Sequence, residues 1–485
     1  MSNLLATLTS AAGSLQAYGT VLEVAQNNVA NASTPGYAKQ QVDLYTLSFD
    51  PTGGLIGGVA AGTLVSARNE FAEKAVRQQT SELGYQQQLV GSLTAIQSNF
   101  DISGSQGIPK ALNKLFQSFS AWGAIPDNQA ARETVVASAT DLAEAFQQAS
   151  RNASAQAHDA EQQIGQTVDQ INGLVSQIRG FNHIAMLGNK SDAGLSANMH
   201  AALEQLATLA DVNSSFESDG TVSLILNGET PLLLEDKQYT ISSGLYQPQD
   251  PAPTNLNGPA NVRILASDGS DITGNTTGAQ LGALLNLRNV TLPTLVGDSY
   301  QAGNLNVMAK QIADRFNAVL ESGNISDGPP VAPGVPIFTY SPDGASFAAA
   351  SLSVVSGFTA DQLAAIQPTP ASDPTVAPVS NGIPLALAAL ASPLLDADKI
   401  NGLSYSQFYG QVAGSVGTLL SDATSNQEVA QSLLTQAKDL RQQYQGVSLD
   451  EEATILMQFQ RAYQANSKFM TVLDQLTELA INIIP

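Results

Sequence analysis

Apolar side chains near the start of the chain fall at Leu4, Leu8, Ala11, Leu15, Tyr18, Leu22, Ala25 and Val29, in alternating steps of four and three. This is the a/d heptad of a coiled-coil seam, and it predicts a helix about 45 Å long at 1.5 Å per residue. Glu23 is the one charged residue within it. The string "NNVANASTPGYAKQ" at 27–40 stops it, because Pro35 has no helical donor and biases Thr34 toward extended backbone.

A second seam closes the chain at Ile455, Phe459, Ala462, Asn466, Phe469, Leu473, Leu476, Ala480 and Ile483, widened by Leu456, Tyr463, Met470 and Ile484. Asn466 is its polar member, a position that sets register at some cost in stability. "SLDEEA" at 448–453 reads as a capped start, with Ser448 as N-cap, Glu451 three residues on and acids in the first turn. Isolated helices are marginal in water. The two seams are therefore expected to pair with each other or with copies in neighbouring subunits; burial as ordinary core helices of one domain is the plainer alternative.

Between 69 and 185 the spacing stays helical, with stripes at Leu89, Leu93, Ile96, Phe100 and at Ile164, Val168, Ile171, Val175, Ile178. Near 212 the period changes, and "TVSLILNGETPLLL" places Asn227–Gly228 between β-prone runs, a hairpin signal. Helical spacing returns near 279, where Ile312, Phe316, Val319 and Leu320 share a face. A stretch at 323–385 is dense in Pro, Gly and Ala and holds a second hairpin candidate, "FTYSPDGASF". Closing helices are expected at 404–446 and 448–484.

The pattern predicts a mainly α fold with β insertions, nested so that both chain ends meet. Its parts are a terminal coiled-coil domain (1–45 and 447–485) and a helical bundle (46–211, 280–322 and 386–446). A β-rich insertion (212–279) and an irregular segment (323–385) complete it.

Composition sharpens this picture. Of the 485 residues 43% are hydrophobic, enough for two to four domain cores, but only 13% are charged, about half the usual share of roughly 25%. A surface of Gln, Asn, Ser, Thr, Ala and Gly suits close packing, since few charges need desolvation on assembly. The net charge of −22, without any Lys/Arg cluster, speaks against nucleic acid and anionic membrane as partners. Cysteine is absent, which removes thiol chemistry, disulfides and Cys-based metal sites. No cleavable signal is expected at the N-terminus, and "IPLALAALASPLL" at 383–395 is too short, and too rich in Pro, to span a bilayer.

Catalytic chemistry finds no residues to rest on. His158, His183 and His200 lack metal-ligand spacing, and neither a phosphate loop nor a nucleophile elbow occurs. "DGSD" at 268–271 reads as a β-turn rather than a calcium loop, and "DEE" at 450–452 as helix-start electrostatics. No cofactor or metal is expected.

The chain ends carry a resemblance. Asn28, Ala30, Asn31, Thr34, Pro35, Gly36 and Tyr37 match the Asn-Asn-Ile-Ala-Asn-x-x-Thr-Pro-Gly-Tyr signature of the axial proteins of the bacterial flagellum, with Val29 in place of Ile. "SLDEEATILMQFQRAYQANSKFMTVLDQLTELAINI" resembles their C-terminal element, and "QRAYQAN" (460–466) is common to that class. Three features are similar to the hook-associated protein 1 family, found at the first hook–filament junction. They are "SLDEEA" itself, the helical stretch after "EFAEKAVRQQTSELGYQQQ", and the segments "LGALLNLRNVTLPTL" and "ASLSV". The likeness covers roughly 1–200 and 280–485.

The resemblance implies a structural subunit without catalysis, exported unfolded by the flagellar type III apparatus and placed outside the cell at the hook–filament junction. Copies of the chain would form a ring with their terminal helices as the inner tube. Partners would be the chain itself, the hook protein, the second junction protein and an export chaperone on the C-terminal helix around Phe459, Phe469 and Leu473. The implied assembly interface comprises Leu8, Leu15, Leu22, Asn28, Asn31, Pro35, Gly36, Tyr37, Phe459, Tyr463, Asn466, Phe469, Leu473 and Leu476. Another axial component, of hook or rod, is the alternative within the class. A secreted adhesin or hydrolase is the alternative outside it.

Overall fold

The computed structural model describes residues 2–50, 55–98, 106–189, 192–245, 262–297, 302–328, 330–341, 348–373 and 375–482. The expectations for Phe100, Ile483, Ile484, the turn of "FTYSPDGASF" and the strands of 246–261 lie outside these residues.

The first elements are α1 (Ser2–Asn31), β1 (Gln40–Thr46), β2 (Phe49–Asp50), β3 (Leu55–Ile56), β4 (Val59–Ser66), α2 (Glu70–Gln97), α3 (Gly107–Ala124), α4 (Gln129–Ile184) and α5 (Ala193–Leu209). Short strands follow as β5 (Val212–Phe216), β6 (Val222–Leu226), β7 (Thr230–Leu234), β8 (Lys237–Gln238), β9 (Ser242–Leu245) and β10 (Val262–Leu265). Then come α6 (Ala279–Asn286), α7 (Leu292–Leu295), α8 (Gly303–Glu321), β11 (Asn324–Ser326), β12 (Ala332–Pro333), β13 (Phe338–Thr339), α9 (Ala348–Ser351) and β14 (Ser353–Val354). The chain closes with α10 (Gly382–Ala389), α11 (Tyr405–Gln445) and α12 (Leu449–Asn482). The fold is mainly α with small β insertions.

Two compact units form. The first gathers Met1–Gly84, Gln170–Thr240 and Val429–Pro485; the second gathers Tyr85–Asp169 and Ile241–Glu428. This division differs from the four-part scheme of the sequence. The terminal piece does not end near 45: β1 pairs antiparallel with β4 from Gln40↔Ser66 to Thr46↔Val59, and the hairpin rests on α1. The stretch 212–279 is split at Thr240, because its two halves form separate sheets with separate anchors.

In the first unit, β5–β8 form an antiparallel four-stranded sheet. Its central turn is the expected one, with Asn227 at φ 49° and Gly228 at φ 78°, the left-handed pair that a two-residue hairpin requires. In the second unit, β10 pairs with β9. Four helix asparagines clasp strand backbones in one way, the carboxamide both accepting the N–H and donating to the C=O of a single residue. Asn28 does this to Gln40, Asn182 to Val222, Asn289 to Val262 and Asn317 to Phe338, at 2.8–3.0 Å. A clasp satisfies an edge residue without a charge, in keeping with a chain so poor in ions.

The core of the second unit is built on amphipathic α3, α8 and the start of α11. Phe316 sits at its centre, edge-on to Phe119 (5.6 Å) and to Tyr405 (6.1 Å), with Phe116 at 5.9 Å. Trp122, the chain's single tryptophan, is fully buried there. Burial, and then the nearby Asp398 carboxylate, raise the Tyr405 phenol far above its usual value, and its oxygen meets no hydrogen-bond partner among the described residues.

Candidate assembly interface

Helices α1 and α12 pack together, so the two ends of the chain share one unit. Tyr18 and Phe459 tilt against each other at 5.8 Å, and Leu8, Leu15, Leu22 and Phe459 are half-buried. Asn466 Nδ2 donates to the Ala11 carbonyl at 2.9 Å. The polar member of the seam thus ties one register of the two helices, because a shifted register would leave the carboxamide without that acceptor.

The seam on α12 departs from a strict heptad. Ile455, Phe459, Ala462 and Asn466 face inward, but the next inward positions are Met470, Leu473 and Thr477, with Leu473 only 6% exposed. Phe469 and Leu476, expected on the seam, are 48% and 47% exposed, and Tyr463 is 41% exposed. A straight helix at 3.6 residues per turn drifts against a 3.5-residue repeat by about 20° per heptad, and the contact moves over by one residue. Phe469, Val472, Leu476 and Leu479 are left as a second, uncovered apolar stripe.

On its other side α1 meets the hairpin through small residues. Ser10 Oγ donates to the Gly57 carbonyl at 2.6 Å, and Ser14 Oγ accepts the Val59 N–H at 3.2 Å while donating to the Ser10 carbonyl. Ala17 and Ser14 are buried there, although neither belongs to the heptad.

The asparagine-rich string folds into a polar clasp inside the chain. Asn28 is 1% exposed and, besides holding Gln40, donates to Glu452 Oε2 at 3.2 Å. The Tyr37 hydroxyl lies 2.9 Å from the side-chain oxygens of both Asn27 and Asn28. Asn31 donates to the Asn27 carbonyl and takes a bond from Thr34, so its contacts are local to the helix end. Gly36 adopts φ +74°, and a Cβ there would stand 2.3 Å from the Ala197 carbonyl of α5; the Pro–Gly turn is a close backbone crossing that no side chain fits. Asn28, Gly36 and Tyr37 are therefore engaged within the monomer.

The acids at the start of α12 do more than favour a helix dipole. Ser448 Oγ takes the weak cap bond from the Glu451 N–H at 3.4 Å, while Lys39 Nζ pairs with Glu451 at 2.8 Å and with Glu452 at 3.2 Å. Glu452 is 1% exposed, so the N-terminal motif and the first turn of α12 form one polar contact. The tail of α11 joins it, where the Gln445 carbonyl accepts the Lys39 N–H at 2.9 Å.

A buried ionic cluster, absent from the sequence reading, lies beside this clasp. Glu73 of α2 accepts from Arg68, from Arg441 Nη1 (3.3 Å) and from Gln445 Nε2 (2.7 Å). Arg441 also meets Glu204 of α5 at 2.9 Å, and Lys438 reaches the same carboxylate at 3.1 Å. Arg68 Nη2 donates to the Gly36 carbonyl at 2.6 Å. The cluster thereby joins α2, α5, α11 and the Pro–Gly turn.

His200 of α5 sits within it, 4% exposed and stacked on Phe216 at 4.8 Å. Its ring nitrogens lie 3.9 Å from Glu70 and Glu73. Burial first, then Arg68, Arg77 and Arg441, hold its pKa well below the usual value. As pH falls through about 6.5, the unfolded chain takes the proton and the folded imidazole does not, so this contribution to stability is present above that pH and lost below it. Glu70, whose pKa burial raises, works in the opposite sense nearer the carboxylate range. The urea midpoint of the first unit is expected to drop between pH 7 and pH 5.5, and the drop to flatten in His200→Phe. An unchanged slope in that variant would contradict the assignment.

Among the described residues no three His, Asp or Glu side chains gather as metal ligands, and no helix is long and apolar enough to cross a membrane.

Comparison with known proteins agrees with this arrangement. Residues 93–338, just over half of the chain, match the family model of the flagellar hook-associated protein FlgK helical domain. Residues 428–483 match that of the flagellar basal body rod FlgEFG protein C-terminal region. The flagellar hook-associated protein 1 of Bacillus subtilis (strain 168) is 25% identical over 508 residues, spanning 98% of this chain and 97% of its own. The flagellar hook junction protein FlgK from Burkholderia pseudomallei shares the fold, with a TM-score of 0.64 at 15% identity over 77% of this chain and all of that one. The chain belongs to the flagellar hook-associated protein FlgK family.

Proposed function

We propose that the chain is a structural subunit of the bacterial flagellum, placed outside the cell, that joins hook to filament by assembling into a ring through its terminal helices. The observation that carries this reading is the α1–α12 pair. One apolar seam of α12 is covered by α1, and a second, from Phe469 to Leu479, is left bare. An exposed stripe of this kind on a helix marks a surface meant for another chain, and with few charges around it the desolvation cost of docking is low. The names of the two relatives, a hook-associated protein and a hook junction protein, point to the same place.

In this reading the hook protein lies on one side of the ring and the second junction protein on the other. Before export a cytoplasmic chaperone covers the apolar C-terminal helix, around Phe459, Phe469 and Leu473. No step in the role calls for catalysis. Gold-labelled antibody against the chain should mark a single band at the hook–filament boundary. Label spread along the whole hook would identify a hook component instead, and surface label in a strain without flagellar export would support a secreted adhesin.

A further inference from the structure

The first unit carries a second uncovered stripe, on α11. Ala430, Leu434 and Ala437 are buried against Val76 and Leu83 of α2. On the neighbouring face Val429 (58% exposed), Leu433 (42%), Leu440 (42%) and Tyr444 (58%) stand in solvent. Their spacing keeps them on one side of the helix over about 22 Å, with uncharged Ser432 and Gln436 between them. Asp439 borders the stripe on its open side, while Lys438 and Arg441 are turned away to Glu204.

The α12 stripe has the opposite rim. Its helix holds two basic residues, Arg461 and Lys468; at about 100° per residue both lie on the stripe's side of the helix, Lys468 beside Phe469 at its start and Arg461 about two turns before it. Both are exposed, and neither has an ion-pair partner among the described residues. Asp474 and Glu478 fall on the far side of the helix. One chain thus bears two bare apolar stripes, about 22 Å and about 15 Å long, one edged by acid and one with base at its start.

We propose that the α11 stripe of one copy of this chain docks on the α12 stripe of the next. Pairing α12 with α12 would bring Arg461 and Lys468 against their own copies, and pairing α11 with α11 would oppose Asp439 to itself. The mixed pairing sets Asp439 against the basic rim and joins apolar heptad to apolar heptad. A contact between two different patches of one chain is heterologous, and it propagates into a ring or an open helical array instead of stopping at a dimer. The inference rests on the reading of the chain as a self-assembling subunit, and adds which faces meet.

The absence of cysteine makes the test clean. Full-length Leu440→Cys and Val472→Cys proteins each carry one thiol, Val472 standing one turn from Lys468 as Leu440 stands beside Asp439, and a short bis-maleimide reports their approach. A cross-linked dimer should form in the mixture at least tenfold more than in either protein alone. Lys468→Glu in the Val472→Cys protein should reduce it several-fold, and adding Asp439→Lys to the Leu440→Cys protein should restore it. Dimer of equal yield in the separate samples, or none in the mixture, overturns the proposal. A strain with Leu433→Asp and Leu440→Asp that still builds filaments would overturn it as well, and would leave the junction role standing.

Discussion

Leu473→Asp is expected to abolish filament assembly while leaving the second unit folded. Leu473 is, among the described residues, the most buried large apolar side chain of α12, and setting a carboxylate there costs at least about 3 kcal/mol through lost burial and an unpaired charge. Leu15→Asp attacks the partner helix and should act in the same direction, more weakly because Leu15 is only half-buried. Trp122 makes the outcome readable: it is buried in the second unit and has no counterpart elsewhere. Its emission and its denaturation midpoint should be unchanged in both variants, while strains carrying them lose swimming and their hooks stay bare. Phe469→Asp supplies the contrast, because Phe469 faces solvent. Its monomer should melt like the parent, so a loss of filaments there isolates assembly from folding. Normal swimming with Leu473→Asp would sink the proposed role of the terminal helices.

Glu73→Ala is the second large effect, and it acts on stability. The carboxylate is almost fully buried and accepts from Arg68, Arg441 and Gln445 at once. Its removal strands Arg68, whose side chain is 7% exposed, beside Arg77 and Arg441. Breaking a buried ion pair from one side costs about 3–5 kcal/mol, a large share of a domain's total stability. Denaturation followed by far-ultraviolet circular dichroism should show the first unit melting early, with the Trp122 transition in place. Glu73→Gln keeps an acceptor for Gln445 but loses the charge, and should fall between. A cost below about 1 kcal/mol in the alanine variant would mean that the cluster is a solvated surface network.

What the sequence makes legible follows from period. The helices α1, α2, α4, α8 and α12 announce themselves by apolar steps of three and four, and the β6–β7 hairpin by Asn227–Gly228 between β-prone runs. Asn466 is legible as a register residue for the same reason, as the one polar place in an apolar series. The drift of the α12 seam is not, since positions 469 and 470 are both apolar and only the path of the partner helix chooses between them. The β1–β4 hairpin is also missed: "QQVDLYT" alternates too weakly to stand out, and its support is a row of small residues on α1 that reads as filler. Least visible are the polar tertiary contacts. Glu73, His200, Gln445 and Glu452 are ordinary in their local sequence, and apart from Arg68, five residues before Glu73, the partners that bury them come from distant segments. "DEE" explained as helix-start electrostatics accounts for the first turn of α12 but not for the burial of Glu452.

The bond between Asn28 and Glu452 also sets an order of events along the chain. Fewer than thirty residues precede one partner and more than four hundred and fifty precede the other. The first unit is threaded from three separated segments, so its N-terminal helix has no seam to bury until α12 exists. A chain halted short of Glu452 leaves Asn28 without its carboxylate, Lys39 without its counter-ions and α1 bare along one side. Closure of the first unit therefore doubles as proof that synthesis has run through α12.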